Sequence, residues 1–196
     1  MKPKALKGLG ASDLIEFIHE WGHPEWVVLA VEAPIEEVSS LYASMRSAKK
    51  RLSEVPIRVA GKQDDEIASL VAVVQPTNSS WSVILRSLCL PIEEGDIKMA
   101  QKDAQTLSSK LKTRAVAFVG EDTSGAMQYW LYQGGKQAGG KEWESQDDSA
   151  DKAFAALGLY LPPCYPRRDA KTTWLAAIGT ATERIQRADI IDLGEE

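Results

Sequence analysis

Two histidines occur in this chain of 196 residues, His19 and His23, and Glu20 lies between them in the run His19-Glu20-Trp21-Gly22-His23. On a helix, imidazoles four residues apart share a face and can grip one divalent metal. A carboxylate beside the first imidazole can then accept a proton from metal-bound water, which is the chemistry of metal-assisted hydrolysis. These residue types at this spacing define one candidate site: His19 and His23 as zinc ligands and Glu20 as general base.

The surrounding residues argue against it. Leu14, Ile15, Phe17, Ile18 and Trp21 form the apolar stripe of the predicted helix. At about 100° per residue, His19 falls about 120° from the centre of that stripe and His23 nearly opposite it. Both imidazoles then face away from the core. Gly22 and Pro24 flank His23, and both disfavour helix there, so the helix is expected to stop near Trp21. No third histidine exists; Glu32, Glu36 or Glu37 could serve as a carboxylate ligand, but Glu32 falls on a predicted strand. The expectation is therefore no cofactor, with a zinc-dependent hydrolase as the alternative.

Other reactive groups form no complete set. Asp122-Thr-Ser-Gly125 has one residue too many for an aspartyl-protease loop and reads as a hairpin turn. Pro162-Pro-Cys-Tyr165 has the form of a polyproline ligand but lies between apolar stretches, so packing across the surface is expected. Cys164 has Arg167 and Arg168 nearby, which would lower its pKa, yet no base is close in sequence. Cys89, in Ser-Leu-Cys-Leu, reads as a packed thiol. Neither a phosphate-binding lysine loop nor a G-x-G-x-x-G turn is present. The remaining candidate is a row of aromatics, Tyr129, Trp130 and Tyr132, on a predicted strand. Trp130 is expected to face opposite to the two tyrosines, one face being core and the other an exposed contact patch.

The elements that would position these residues read in order. Residues 1–11 form a leader, and Ser12 or Asp13 caps the first helix. Trp26 to Val31 is a dense apolar strand. The segment from Pro34 to Leu52 has helical spacing, with Lys49-Lys50-Arg51 suited to a helix C-terminus. Strands follow at 55–60, 67–74 and 81–88. A second helix spans Ile97 to Leu111, and strands follow at 114–119 and 126–132. Pro34-Ile-Glu-Glu37 is echoed by Pro91-Ile-Glu-Glu94, so the chain reads as a pseudo-duplicated β-α-β-β unit with halves 25–75 and 80–133. Gly134 to Gly140 is flexible by composition. The C-terminal appendage, 141–196, holds a short strand around Trp143, a helical segment at 152–159, a segment at 173–182 that reads as either helix or strand, and a final Ile190-Ile191 pair suited to closing an edge.

Composition sets the outer limits. Hydrophobic residues make up 44% and charged residues 26%, ordinary for a globular chain. A net charge of −5 argues against a nucleic-acid footprint. Two cysteines make no disulfide framework, and no apolar run is long enough for a membrane span, so the expected compartment is cytoplasmic. The expected fold is α+β: helices packed on a mostly antiparallel sheet, with residues 12–196 as a single domain. The expected function is a non-enzymatic protein-interaction domain. It would bind an unknown protein partner or form a homodimer through a sheet edge, with no nucleic acid and no membrane.

Overall fold

The structure is a computed structural model and describes residues 25–53, 70–76, 79–86, 94–121, 127–143, 157 and 185–193. In chain order the elements are β1 (Glu25–Val31), α1 (Ile35–Met45), β2 (Lys50–Leu52), β3 (Leu70–Pro76), β4 (Ser82–Arg86), α2 (Glu94–Leu111), β5 (Arg114–Glu121), β6 (Met127–Gln133), β7 (Lys136–Trp143) and β8 (Ile185–Asp192). The eight strands form one sheet in the order β2-β8-β3-β4-β1-β5-β6-β7. Every neighbouring pair is antiparallel. Both helices pack on one face of it, so the arrangement is α+β with helices on an antiparallel sheet.

The strand register sorts the core into two layers. Val27, Leu29 and Val31 of β1 point toward the helices, with Val71, Val73, Ile84, Ala115, Ala117 and Ile191 from the neighbouring strands. Ile35, Val38 and Tyr42 of α1 and Ala100, Ala104 and Leu107 of α2 close over them. Alternation sends Val28, Ala30, Ala72, Val74, Val83, Val116 and Phe118 to the other face, and these are buried too. A strand buried on both faces needs no polar alternation. That is why β1 reads Val-Val-Leu-Ala-Val without a break.

Helix α1 ends at Met45, seven residues before the position its periodicity suggested. The cause is a Schellman termination. Ser47 takes a left-handed φ of 50°, while the Ser47 and Ala48 amides donate to the Ser44 and Ala43 carbonyls. The three basic residues at 49–51 are consequently not a helix end. Lys49 donates its amide to the Asp192 carbonyl, and Lys50 and Arg51 begin β2 against β8. Helix α2 ends in a similar way, with Lys112 at φ 53° and the Thr113 amide donating to Ser108. At the other end of α1, Pro34 offers no side-chain cap, and Gln75 of β3 accepts from the Ile35 amide at 3.3 Å instead.

Two further expectations are corrected. Gly134 to Gly140 is not a flexible stretch. Gly134 and Gly135, at φ 56° and 82°, make a two-residue hairpin turn, and the rest is the body of β7. Strand β8 does not close an edge but lies between β2 and β3. The first helix with His19, Glu20 and His23, the strand at 55–60, residues 122–125, the Pro162-Pro-Cys-Tyr165 run, Cys89 and the segment at 173–182 lie outside the described residues, and of the expected helix at 152–159 only Leu157 is described.

Candidate interaction surface

The aromatic row lies on β6, second from the rim of the sheet. Its pairing with β5 sets Phe118 opposite Tyr129, Ala117 opposite Trp130 and Ala115 opposite Tyr132. Ala115 and Ala117 belong to the helix-side layer. Trp130 and Tyr132 therefore share the helix side, and Tyr129 points the other way with Phe118. This corrects the expectation that Trp130 opposes both tyrosines: with a period of two, 130 and 132 fall on the same face and 129 on the other. Tyr132 is 6% exposed and part of the core, and burial raises the pKa of its phenol. It is no surface residue. Trp130 and Tyr129 are half-buried, one on each face.

Beyond β6, β7 forms the rim. The side chains of Lys136, Gln137, Ala138, Lys141 and Glu142 are exposed, as is Gly140. An edge strand leaves about half of its N–H and C=O groups pointing outward, open to another strand. The opposite rim is unlike it: β2 has three residues. The hairpin that carries β7 is fastened to α2. Gln105 Nε2 donates to the Gly135 carbonyl at 3.0 Å, and the Gly135 amide donates to Ser108 Oγ at 3.2 Å. Ser108 in turn donates to the Thr113 carbonyl at 2.6 Å. A Cβ on Gly135 would meet Ser109 Cβ at 2.7 Å, so only glycine fits that contact.

A polar row that the sequence did not suggest crosses the middle of the sheet. Glu32 follows β1 and lies beside Arg114, the first residue of β5; Arg114 Nε and Nη2 donate to its two carboxylate oxygens at 2.6 and 2.8 Å. One register step beyond the Val31–Ser82 pair places Trp81 on the other side of Glu32. The Arg114 guanidinium reaches over the Trp81 ring, 5.3 Å from its centroid. The Trp81 indole is fully buried and donates to the Leu157 carbonyl at 3.3 Å. Arg114 thus joins three strands, and Trp81 ties in a residue from far along the chain. The hydrogen bonds from Arg114 hold the Glu32 carboxyl below its ordinary pKa. The signal was present as Glu32, Trp81 and Arg114 at strand ends, but only the register reveals that they meet.

Two further ion groups fasten the helices. Arg46, just after α1, pairs with the buried Asp103 of α2 and lies over the Tyr42 ring. Arg187 of β8 pairs with Glu36 of α1 and with the buried Asp189, at 3.1 Å to the latter. Each joins separate elements, which is what a structural tie does. Among the described residues, no three His, Cys, Asp or Glu side chains gather as metal ligands would. Among the same residues no helix is long and apolar enough to cross a membrane.

Compared with protein-family models, with curated proteins and with solved structures, the chain gives no significant match.

Proposed function

We propose that the chain is a non-enzymatic protein-interaction domain that takes an extended segment of a protein partner onto β7. The observation that carries this reading is the contrast between the two rims: a short β2, and an eight-residue β7 with exposed side chains. Strand addition to such a rim gains affinity from main-chain hydrogen bonds and specificity from alternate side chains. Tyr129 and Trp130, half-buried on β6 directly behind the rim, supply apolar surface on both faces. Lys136 and Lys141 on the rim have a second role, since edge charges oppose indiscriminate strand pairing. A binding rim needs both properties, because it must accept one partner without aggregating.

The test uses the full chain. Ten-residue peptides selected on it from a random display library should protect β7 amides from hydrogen exchange, in an alternating pattern along the strand. Binders that leave β7 exchange unchanged would refute the assignment.

The internal repeat belongs to the same proposal. Strands two apart in an antiparallel sheet run parallel, so β1–α1–β2 and β4–α2–β5 both join parallel strands, with their helices on one face. We read these two crossovers as versions of one β-α-β-β plan, the first spread wider by β8 and β3.

A further inference from the structure

Strand β7 carries two adjacent glycines in its middle, Gly139 and Gly140, and they are not equivalent. A Cβ on Gly140 would lie 2.8 Å from the Tyr129 carbonyl oxygen, so close backbone approach explains that glycine. A Cβ on Gly139 would meet only Leu131, at an ordinary 3.8 Å. Gly139 has no left-handed φ either. Neither conformation nor internal packing requires it. Glycine weakens a strand interior and marks either a bulge or a place where another backbone approaches closely; Gly139 follows Ala138, the extra residue at the β6–β7 register shift, and its bare face is left open as well.

The two glycines open one slot on each face of the rim. Gly139 pairs with Leu131 and Gly140 with Trp130, both half-buried on β6. The β6–β7 register shifts between Leu131 and Tyr132, so Lys136, Gly139 and Lys141 lie on the Leu131 side and Gln137, Gly140 and Glu142 on the Trp130 side. A strand laid beside β7 sets one side chain over Gly139, toward Leu131. It sets the adjacent one over Gly140, toward Trp130, where the Gln137 amide nitrogen, 3.6 Å from the place of a Gly140 Cβ, must swing aside. Next along the rim come Lys141 and Glu142, with opposite charges on opposite faces.

From this we propose the chemistry of the partner segment: a basic residue, an acidic residue and then two large apolar residues, bound antiparallel to β7. Antiparallel pairing follows from the seven antiparallel pairs of the sheet. The basic residue meets Glu142 and the acidic one meets Lys141. The first apolar side chain covers Gly140 and touches Trp130, and the second covers Gly139 and touches Leu131. Cross-strand charge pairs and apolar pairs of this kind are the unit of sheet stability. This inference rests on the rim reading above and adds the order of residues that the rim selects.

The experiment uses a fluorescent ten-residue peptide bearing Lys-Glu-Phe-Val between threonine and serine flanks. It is titrated into the full chain beside the Glu-Lys-Phe-Val and Lys-Glu-Ser-Ser versions. The first peptide should bind at least tenfold more tightly than either control and should protect β7 amides. Gly139→Val, whose Cβ meets only Leu131 at 3.8 Å, should fill the slot and reduce binding at least tenfold with unchanged circular dichroism. Equal binding of all three peptides at β7 would overturn the residue order and leave the rim reading standing. Binding unaffected by Gly139→Val would remove the slot. No β7 protection by this peptide, in a chain where library-selected peptides do protect β7, would overturn the inference alone. Concentration-dependent dimerisation blocked by Gly139→Val would assign the rim to a second copy instead.

Discussion

The centre of this sheet and its β7 rim are built from the same antiparallel pairing but answer to different constraints. At the centre, β1, β3, β4 and β5 are buried on both faces and hold small and branched apolar residues with scarcely a polar side chain. At the rim, β7 has no large apolar side chain between Lys136 and Glu142, and glycines take the places where packing would otherwise occur. The centre is specified by what must be excluded from water. The rim is specified by what must remain able to approach. The two are joined by β6, which buries Tyr132 on one side and leaves Trp130 and Tyr129 half-covered.

Tryptophan substitutions give the largest test of that contrast. Trp81 is fully buried at the centre, and its indole holds Leu157 and lies under Arg114. Trp81→Ala should cost about 3–5 kcal/mol in urea unfolding, the range for emptying a buried aromatic site. Trp130→Ala removes a half-buried ring and should cost about 1–2 kcal/mol. Equal losses would mean that the rim is packed as tightly as the centre, and the contrast would fail.

Within the rim hairpin, glycine positions sharpen it. Gly135→Ala places a Cβ against Ser109 at 2.7 Å and forces an alanine to φ 82°. Thermal unfolding should show a loss of about 1–3 kcal/mol, from left-handed strain and displaced contacts to α2. Gly139→Val should instead change stability by less than about 1 kcal/mol, with strand propensity favouring valine. A large loss at Gly139 would show that packing requires that glycine after all and would undercut its reading as a slot.

The sequence revealed these regions unevenly. The apolar runs at β1, β3 and β4 and the Leu111 end of α2 follow from periodicity, because burial imposes a pattern on consecutive residues; the mostly antiparallel pairing follows from the short turns between strands, whereas nothing local shows that both halves share one sheet. The end of α1 did not, because Ser47 adopts a conformation for which glycine is the usual sign. The Lys49-Lys50-Arg51 run then looked like the end of a long helix. Gly134 to Gly140 looked flexible because composition does not distinguish a tight turn from a strand held by its neighbour. Of the proposed aromatic site, Trp130 and Tyr129 are half-buried on opposite faces of β6, while Tyr132 is core. The row of Trp81, Glu32 and Arg114 depends on three strands far apart in sequence, so no local pattern announces it.

The Glu32–Arg114 pair gives a smaller effect, readable in pH. The carboxyl titrates below its ordinary range in the folded chain because Arg114 hydrogen-bonds to it. A depressed folded pKa means that the unfolded chain takes up the proton first as pH falls. The stabilisation is therefore complete above the ordinary carboxylate range and is lost as pH drops through the folded value. Glu32→Gln should cost about 1 kcal/mol near pH 7, since both side chains remain partly exposed to solvent. The difference from the unmodified chain should vanish in strong acid. A constant difference down to low pH would assign the effect to shape, not charge.

The smallest effect concerns metal. The interaction reading requires no zinc, whereas the His19-Glu20-Trp21-Gly22-His23 spacing is the one pattern in the chain that would supply hydrolytic chemistry. On the helix that the spacing predicts, both imidazoles would point away from the apolar stripe, and Gly22 with Pro24 would disturb the turn needed to align them. An untagged preparation, offered zinc and then freed of excess, should hold well under one equivalent by elemental analysis. His19→Ala should leave that content and the unfolding midpoint unchanged. One zinc per chain, lost in the variant, would move the functional centre to the residues before β1. The rim would then be left as a structural edge kept apart from other strands by Lys136 and Lys141.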